Sequence, residues 1–266
     1  MKKKLLFLTN LHNQDIEEDL FLSDYLGTYF DVKVCHPLEC EKHLKNIDLV
    51  LIRNIWPVED YRERLDEVFN VIKNRGIKTY PPLSAKGDMT GKEYLIELFN
   101  KGYPVIPTIN NKEDLSKLGN TENYFIKPIY GGSSIGCKKV SMHELFELNL
   151  QGYVIQPFID IEAELSLYFI DNKLQHALYT PNKEERWNLK PFTPTTEELA
   201  FAQQFVKWNN LPYGLQRIDA CRMKDGRLLL MEIEDFCPFL SLLEIDKTLK
   251  DDFLDTLVKS LKKVVA

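Results

Sequence analysis

The chain has 266 residues, 44% of them hydrophobic and 28% charged, a composition that buries a sizeable core and excludes a disordered tail. Its formal charge of −6 argues against nucleic acid as a partner, because domains that neutralise a phosphate backbone carry a basic excess. No apolar run approaches the length of a membrane span, and the short run 5–8 behind the basic start suits a buried strand better than a signal peptide, so a cytoplasmic protein with no membrane partner is expected.

In chain order, residues 4–9, 32–35, 47–52 and 77–80 are short strand candidates. Between them, 16–30 and 58–75 carry apolar residues at helical spacing, and the second stretch runs into Gly76, a common helix stop. This alternation predicts a small, doubly wound, Rossmann-like α/β domain over 1–84. The carboxyl ends of its strands, at Thr9, Asn10 and Arg53, would then face a ligand cleft. Arg53 reads equally as a carboxylate clamp and as a surface arginine. Trp56 and Trp187 either line the same cleft or simply pack. Cys35, His36, Cys40 and His43 crowd together, but their gaps miss the usual zinc spacings, and the five cysteines are read as reduced thiols.

Pro81-Pro82 interrupts the pattern. A helix candidate at 91–101 stops at Gly102, just before Pro104-Val105-Ile106-Pro107. From Tyr124 onward strand signals come in hairpin-like pairs, with helices near 142–148 and 195–209. That is α+β organisation, different from the first domain.

Residues 123–130 are strand-like and apolar except for Lys127, and they run into Gly131-Gly132-Ser133-Ser134-Ile135-Gly136. Such a loop lets backbone N–H groups and serine hydroxyls converge on an anion. It has neither the Lys-Ser/Thr ending of a P-loop nor the dinucleotide fingerprint. A flexible hairpin turn is the plainer reading. Lys127 tips the balance, since a lone lysine in an apolar strand needs an anion, and the adjacent loop is where one would sit.

Residues 214–234 read as two strands joined by an Asp225-Gly226 turn. If that two-residue turn sets the register, Lys224 faces Arg227, Asp219 lies opposite Glu232, and Arg217 lies opposite Glu234. All four share one face, while Ile218, Ala220, Met231 and Ile233 form the other. Carboxylates facing each other at Cβ separations of about 5 Å destabilise a sheet unless a cation or proton intervenes. A hard divalent ion held by Asp219, Glu232 and Glu234 is the natural resolution, and a solvated charged sheet face is the plainer reading.

Together these segments resemble the ATP-grasp superfamily, and within it the D-alanine–D-alanine ligases. Lys127-Pro128 with Gly132-Ser133-Ser134-Ile135-Gly136 is similar to their strand and phosphate loop. Arg217-Ile218-Asp219, Asp225-Gly226 and Leu230-Met231-Glu232-Ile233-Glu234 resemble the catalytic arginine and metal hairpin. Gly91-Lys92, followed by a helix and Gly102-Tyr103-Pro104-Val105, resembles the nucleotide-contacting lysine and the entry to the central domain. Tyr153-Val154-Ile155-Gln156-Pro157-Phe158, with Ile159 and then Glu164, resembles the adenine hinge and the ribose acid. The matches run in the family's order from about residue 85 to 240. More loosely, Arg53-Asn54-Ile55-Trp56 and 232–242 look similar to the cycloserine-forming ligase group.

The resemblance implies an α/β N-terminal domain followed by ATP-grasp domains whose antiparallel sheets clamp ATP, with 85–158 as the lid and 159–266 carrying the metal hairpin. It implies Lys92, Lys127, Gly131, Gly132, Ser133, Ser134, Gly136, Gln156, Pro157, Phe158, Ile159 and Glu164 as nucleotide contacts, and Asp219, Glu232 and Glu234 as ligands of Mg2+, with Mn2+ as an alternative ion. Arg217, Lys127, Ser134 and Arg186 would act in catalysis; Arg186-Trp187-Asn188 is similar to the Arg-x-Asn of some amino-acid ligases. Gln156 replaces a common acid, but its amide oxygen still accepts. Glu234 replaces a usual asparagine. The expected enzyme is a ligase that joins a small amino-acid-like carboxylate to an amine, or to a thiol, through an acyl-phosphate, with release of ADP and phosphate. A small-molecule kinase on the same scaffold and a catalytically idle nucleotide-binding subunit are the alternatives, and homodimerisation is left open.

Overall fold

The computed structural model describes residues 1–12, 16–56, 58–132, 134–182, 185 and 188–266, with Asp60 described by its backbone alone. Its first unit is a parallel sheet. Strands β1 (Lys4–Leu8), β2 (Asp31–Cys35), β3 (Leu49–Ile52) and β4 (Lys78–Tyr80) lie in the order β2-β1-β3-β4, with helices α1 (Ile16–Gly27) and α2 (Arg62–Asn74) in the connections. The two inner strands are buried on both faces, which is why Leu5-Leu6-Phe7-Leu8 and Leu49-Val50-Leu51-Ile52 show no alternation.

Two antiparallel sheets follow. Helix α3 (Tyr94–Asn100) leads to β5 (Asn123–Pro128), β6 (Lys138–Ser141), α4 (Met142–Glu147) and β7 (Tyr153–Pro157), whose strands form a three-stranded sheet of order β6-β5-β7. The larger sheet has the order β10-β9-β8-β11-β12 and comprises β8 (Ile161–Ile170), β9 (Lys173–Tyr179), β10 (Lys190–Pro191), β11 (Leu215–Met223) and β12 (Leu228–Glu234). Helix α5 (Thr196–Asn209) precedes β11, and α6 (Lys247–Val264) closes the fold. Capping boxes start α4 at Ser141 with Glu144 and α5 at Thr195 with Glu198, each satisfying two otherwise unpaired backbone donors.

Burial explains how the sheets are arranged. One face of the five-stranded sheet packs Leu165, Leu167, Phe169, Ile218, Leu230 and Ile233 on α3 and α5. On the opposite face, Tyr168, Leu178 and Leu215 share a core with α6 and with Leu5, Phe7 and Leu51 of the parallel sheet. The parallel and five-stranded sheets therefore have a common interior, although the sequence places a boundary at residue 84. The three-stranded sheet has its own small core of Tyr124, Ile126, Val140, Leu145 and Ile155.

A strap at residues 104–109 ties the two antiparallel sheets together. Val105 bridges Leu230 on the edge strand β12, with Ile106 N donating to Leu230 O at 3.1 Å and Leu230 N to Pro104 O at 2.8 Å. Ile109 bridges Ile155 on the edge strand β7, at 3.0 and 2.7 Å. The strap thus covers one open edge of each sheet.

Candidate active site

The carboxylate hairpin reaches the expected register by an unexpected route. The turn is not a two-residue Asp225-Gly226 loop. Met223 N donates to Arg227 O at 2.8 Å and Gly226 N to Met223 O at 2.9 Å, so Lys224-Asp225-Gly226 form the loop, and Gly226 takes φ +85° as its last residue requires. The added residue would slip every pair. A β-bulge between Asp219 and Ala220 restores them: Ala220 pairs with Leu230, Met231 is the extra residue, and Asp219 again faces Glu232 and Arg217 faces Glu234. Leu230, not Met231, enters the core; Met231 is half-buried.

Register across β8 extends this polar face, because directly opposed residues share a side of the sheet. Tyr168 lies opposite Arg217, Ser166 opposite Asp219, and Glu164 opposite Cys221. Arg217 is held on every side. Its Nε and Nη2 grip the two Asp219 oxygens at 2.8 Å each, Nη2 also meets Glu234 Oε1 at 2.7 Å, Nη1 donates to Phe239 O at 2.8 Å, and the guanidinium lies 5.8 Å over the Tyr168 ring. Ser166 Oγ donates to Asp219 Oδ1 at 2.7 Å.

Lys92 links this face to the glycine loop. Its Nζ lies 2.5 Å from Glu232 Oε1 and donates to Gly131 O at 2.5 Å, while the side chain is only 5% exposed. Burial alone would lower its pKa, but Glu232, with help from Asp88 and Glu234, raises it above the usual lysine value. Glu232 responds in the opposite sense. Burial works to raise its carboxyl, and the charges of Lys92, Lys127 and Arg217 outweigh that and bring it below the ordinary value. Glu234 is pushed up to about 8 by burial, and the neighbouring Asp219 and Glu232 add to the rise, only partly offset by Arg217 and Lys92. Among the described residues, no group of three or more His, Cys, Asp or Glu side chains is gathered so as to hold a metal ion. The reason is visible in the pairing: each hairpin carboxylate is turned to a protein cation.

The three-stranded sheet supplies the opposite wall. Tyr124 and Ile126 face its core, so Lys127, in register with Val154, and Phe125, in register with Gln156, lie on the other face. Lys127 is buried, and its charge acts on Glu232 and Cys221 of the larger sheet. Lys127, Lys92 and the hairpin thus come together between the two antiparallel sheets, where a cleft is expected. Gly131, Gly132, Ser134 and Gly136 surround the loop's turn, where Ile135 N donates to Gly132 O at 2.9 Å. Gly132 leans on Trp56 so closely that a Cβ there would lie 3.0 Å from the indole. Gln156 is buried in β7, Pro157 ends that strand, and Phe158 is exposed with Lys139 Nζ 4.0 Å over its ring. Ile159 and Glu164 are half-buried beyond it. Ser133, Arg186 and Trp187 lie outside the described residues.

Arg53 is neither a substrate clamp nor a surface residue. It is 1% exposed and fully engaged, with Nε to Asp19 at 3.0 Å, Nη2 to Glu18 at 3.0 Å and Nη1 to Pro238 O at 2.6 Å. Buried charge persists only when it is paired in this way. Glu18 also accepts from Leu240 N and Leu242 N, so the cluster pins the segment after β12 to the parallel sheet. Thr9 donates to Asp19 and Asn10 to Trp56 O, so both are used locally.

A second buried pair is absent from the sequence reading. Asp88 Oδ1 accepts from Asp235 N and Phe236 N at 2.8 Å each, and the Asp235 carboxylate accepts from Gly87 N, Met89 N and Asn209 Nδ2. Burial, with Asp235 and Glu234 nearby, holds the Asp88 carboxyl well above the usual range. This reciprocal clasp fixes the turn before Lys92 to the exit of β12. Neither aspartate sits in a motif; Asp235 at least follows two acids in Glu232-Ile233-Glu234, whereas nothing around Asp88 signals it.

No protein-family model and no curated protein matches the sequence. Solved structures do match along nearly the whole chain. D-cycloserine synthetase DcsG superposes with a TM-score of 0.75 at 18% identity, covering 97% of this chain and 99% of its own. The ATP complex of D-alanine–D-alanine ligase from Bacillus anthracis gives 0.70 at 16% identity, covering 99% and 98%. The ATP-grasp ligase PsnB, complexed with a phosphomimetic variant of minimal precursor, Mg and ADP, gives 0.66 at 13% identity and full coverage of both chains. At such coverage and such low identity the likeness is one of architecture, and the chain has the ATP-grasp fold.

Proposed function

We propose that this chain is a magnesium-ATP-dependent ligase that activates a small amino-acid-like carboxylate and joins it to an amine, with a thiol as the alternative nucleophile. The observation that carries the reading is Lys92, which bridges the glycine loop at Gly131 O to the hairpin acid Glu232. It ties an anion-binding loop to a carboxylate face across one cleft, with Lys127 and Arg217 alongside.

The donor chemistry suits a hard divalent cation, because Asp219, Glu232 and Glu234 offer only carboxylate oxygens on adjacent strands, although they must first turn from Lys92 and Arg217 to gather round it. Those three residues would hold magnesium, which when bound neutralises phosphate charge and polarises the transferring phosphoryl group. The chain's own groups do the rest. Lys92 and Lys127 pair with phosphate oxygens, and the loop 131–136 covers the reaction and excludes water. Arg217, already fixed by four polar contacts, offers a preorganised charge to the acyl-phosphate and to the tetrahedral species that follows. A substrate carboxylate oxygen takes the γ-phosphoryl group and ADP departs. The amine nitrogen then bonds to the acyl carbon, the C–O bond to phosphate breaks with its electron pair, and the nitrogen loses a proton.

An ADP-release screen over pairs of amino acids, hydroxy acids and amines, read by mass spectrometry, tests this. ADP and phosphate formed only when both substrates are present, with a condensed product, is the expected result. A phosphorylated acceptor formed from one substrate would make the enzyme a kinase. Tight magnesium-ATP binding without turnover for any pair would make it a binding subunit.

A further inference from the structure

The strap between the two antiparallel sheets carries a side chain with a strict hydrogen count. Thr108 is fully buried, and its hydroxyl donates to Ile106 O at 2.7 Å. A hydroxyl has one hydrogen, so any further partner at that oxygen must be a donor. That partner is the Gln156 side-chain amide, 2.9 Å away. The end of the amide that meets Thr108 is therefore Nε2, and the carbonyl oxygen is the opposite arm.

Backbone register explains the meeting. Ile109 and Ile155 exchange both of their backbone hydrogen bonds. Thr108 and Gln156 are the next pair along, the non-hydrogen-bonded kind in which facing side chains approach most closely. Gln156 is also directly opposite Phe125, which puts it on the side of the sheet that carries Lys127 and away from the Ile126 and Ile155 core. It lies on the cleft side, although it is only 2% exposed.

We infer that Thr108 sets the nucleobase preference of the cleft. With Nε2 held against the strap, the amide turns its carbonyl arm, and not its NH2 arm, away from Thr108 and toward a base. An acceptor suits adenine, which presents an exocyclic amine there, and repels guanine, which presents a carbonyl oxygen. An unconstrained amide would turn over and serve either base. The inference rests on the proposed use of a nucleoside triphosphate in this cleft and adds the residue that selects the base. Thr108 itself is a positioning residue, since it acts through Gln156.

Calorimetric binding of magnesium-ATP and magnesium-GTP to the full chain tests it, with melting curves to verify folding. The wild type is expected to prefer ATP. In Thr108→Val, similar in shape but lacking the hydroxyl, the ATP-to-GTP ratio of affinities falls by about tenfold, the order of one hydrogen bond. Thr108→Ser keeps the hydroxyl and the ratio. Thr108→Val/Gln156→Glu keeps the preference for ATP, because a carboxylate has no donor arm to present. Should Thr108→Val not fold, Thr108→Ala carries the same expectation. An unchanged ratio in the folded Val or Ala variant, or an equal fall in the double variant, overturns the role of Thr108 while ATP use stands. A wild type that binds neither nucleotide overturns the ligase reading as well.

Discussion

His176 should make the protein sensitive to mild acid. The ring is 5% exposed, lies 4.2 Å from the Tyr168 ring at an interplanar angle of 18°, and meets the edge of Phe253 at 5.5 Å. Among the described residues, neither ring nitrogen has a well-formed hydrogen-bond partner. Burial therefore lowers its pKa from 6.5 to about 4, and the nearby Leu240 backbone offsets only part of the shift. The sign follows from which state takes up protons. Above pH 6.5 both folded and unfolded chains hold a neutral ring and stability is unaffected. Between 6.5 and about 4 only the unfolded chain protonates, so stability falls as pH falls, by about 2 kcal/mol at pH 5 and about 3 kcal/mol by pH 4. Urea unfolding of the wild type, His176→Phe and His176→Leu from pH 7.5 to 4.5 would measure this. Other titrating groups are common to all three proteins and cancel in the difference. The gap between wild type and variants should change by about 2 kcal/mol between pH 7.5 and 5; parallel curves across that window would refute a neutral, unpartnered imidazole.

Three further outcomes follow from the cleft. Lys127→Ala should weaken magnesium-ATP binding by roughly tenfold to a hundredfold without altering the melting temperature much, since the anion it serves comes from the ligand; calorimetry showing wild-type affinity would remove Lys127 from the site. Arg217→Met should lower kcat by roughly a thousandfold while ATP affinity changes little, as steady-state kinetics would reveal. Weaker ATP binding with normal turnover would instead make Arg217 a ground-state phosphate ligand. Glu234→Asn should retain turnover but raise half-saturating magnesium by about tenfold, because Arg217 keeps both Asp219 contacts and Phe239 O without it. A large fall in maximal rate at unchanged magnesium dependence would assign Glu234 to Arg217.

The hairpin shows both what one sequence discloses and where that stops. Alternation alone places Arg217, Asp219, Glu232 and Glu234 on one face, and the facing pairs match the structure. The turn used to count them is wrong by one residue, and the bulge at Met231 corrects the count; bulges leave no reliable mark in a local pattern. Lys127 is legible because a cation in an apolar strand is conspicuous. Arg53 is not, since its partners Glu18, Asp19 and Pro238 come from distant parts of the chain. The Asp88 and Asp235 clasp and the Thr108 and Gln156 pair are hidden for the same reason. Helix α6 is different: Phe253, Leu254, Leu257, Val258 and Leu261 repeat at helical spacing, and the sequence reading passed over a signal that was present.

The shared interior of the parallel and five-stranded sheets makes the two jaws of the cleft mechanically unequal. Tyr168, Leu215 and Phe253 are buried in the same cluster as Leu5, Phe7 and Leu51, so everything attached to those sheets travels as one anvil. The three-stranded sheet, with a core of its own, is the hammer, and the strap that joins it to the anvil through Val105 and Ile109 is where it would pivot. Arg217 and the hairpin acids ride on the anvil; Lys127 and the glycine loop ride on the hammer. An acceptor bound against the anvil would thus be aligned before the blow falls, and closure would change only the distance of the phosphates from it. The distance between one spectroscopic label on α4 and another on α5 should report nearly all of the motion, whereas the distance between labels on α1 and α6 should barely change.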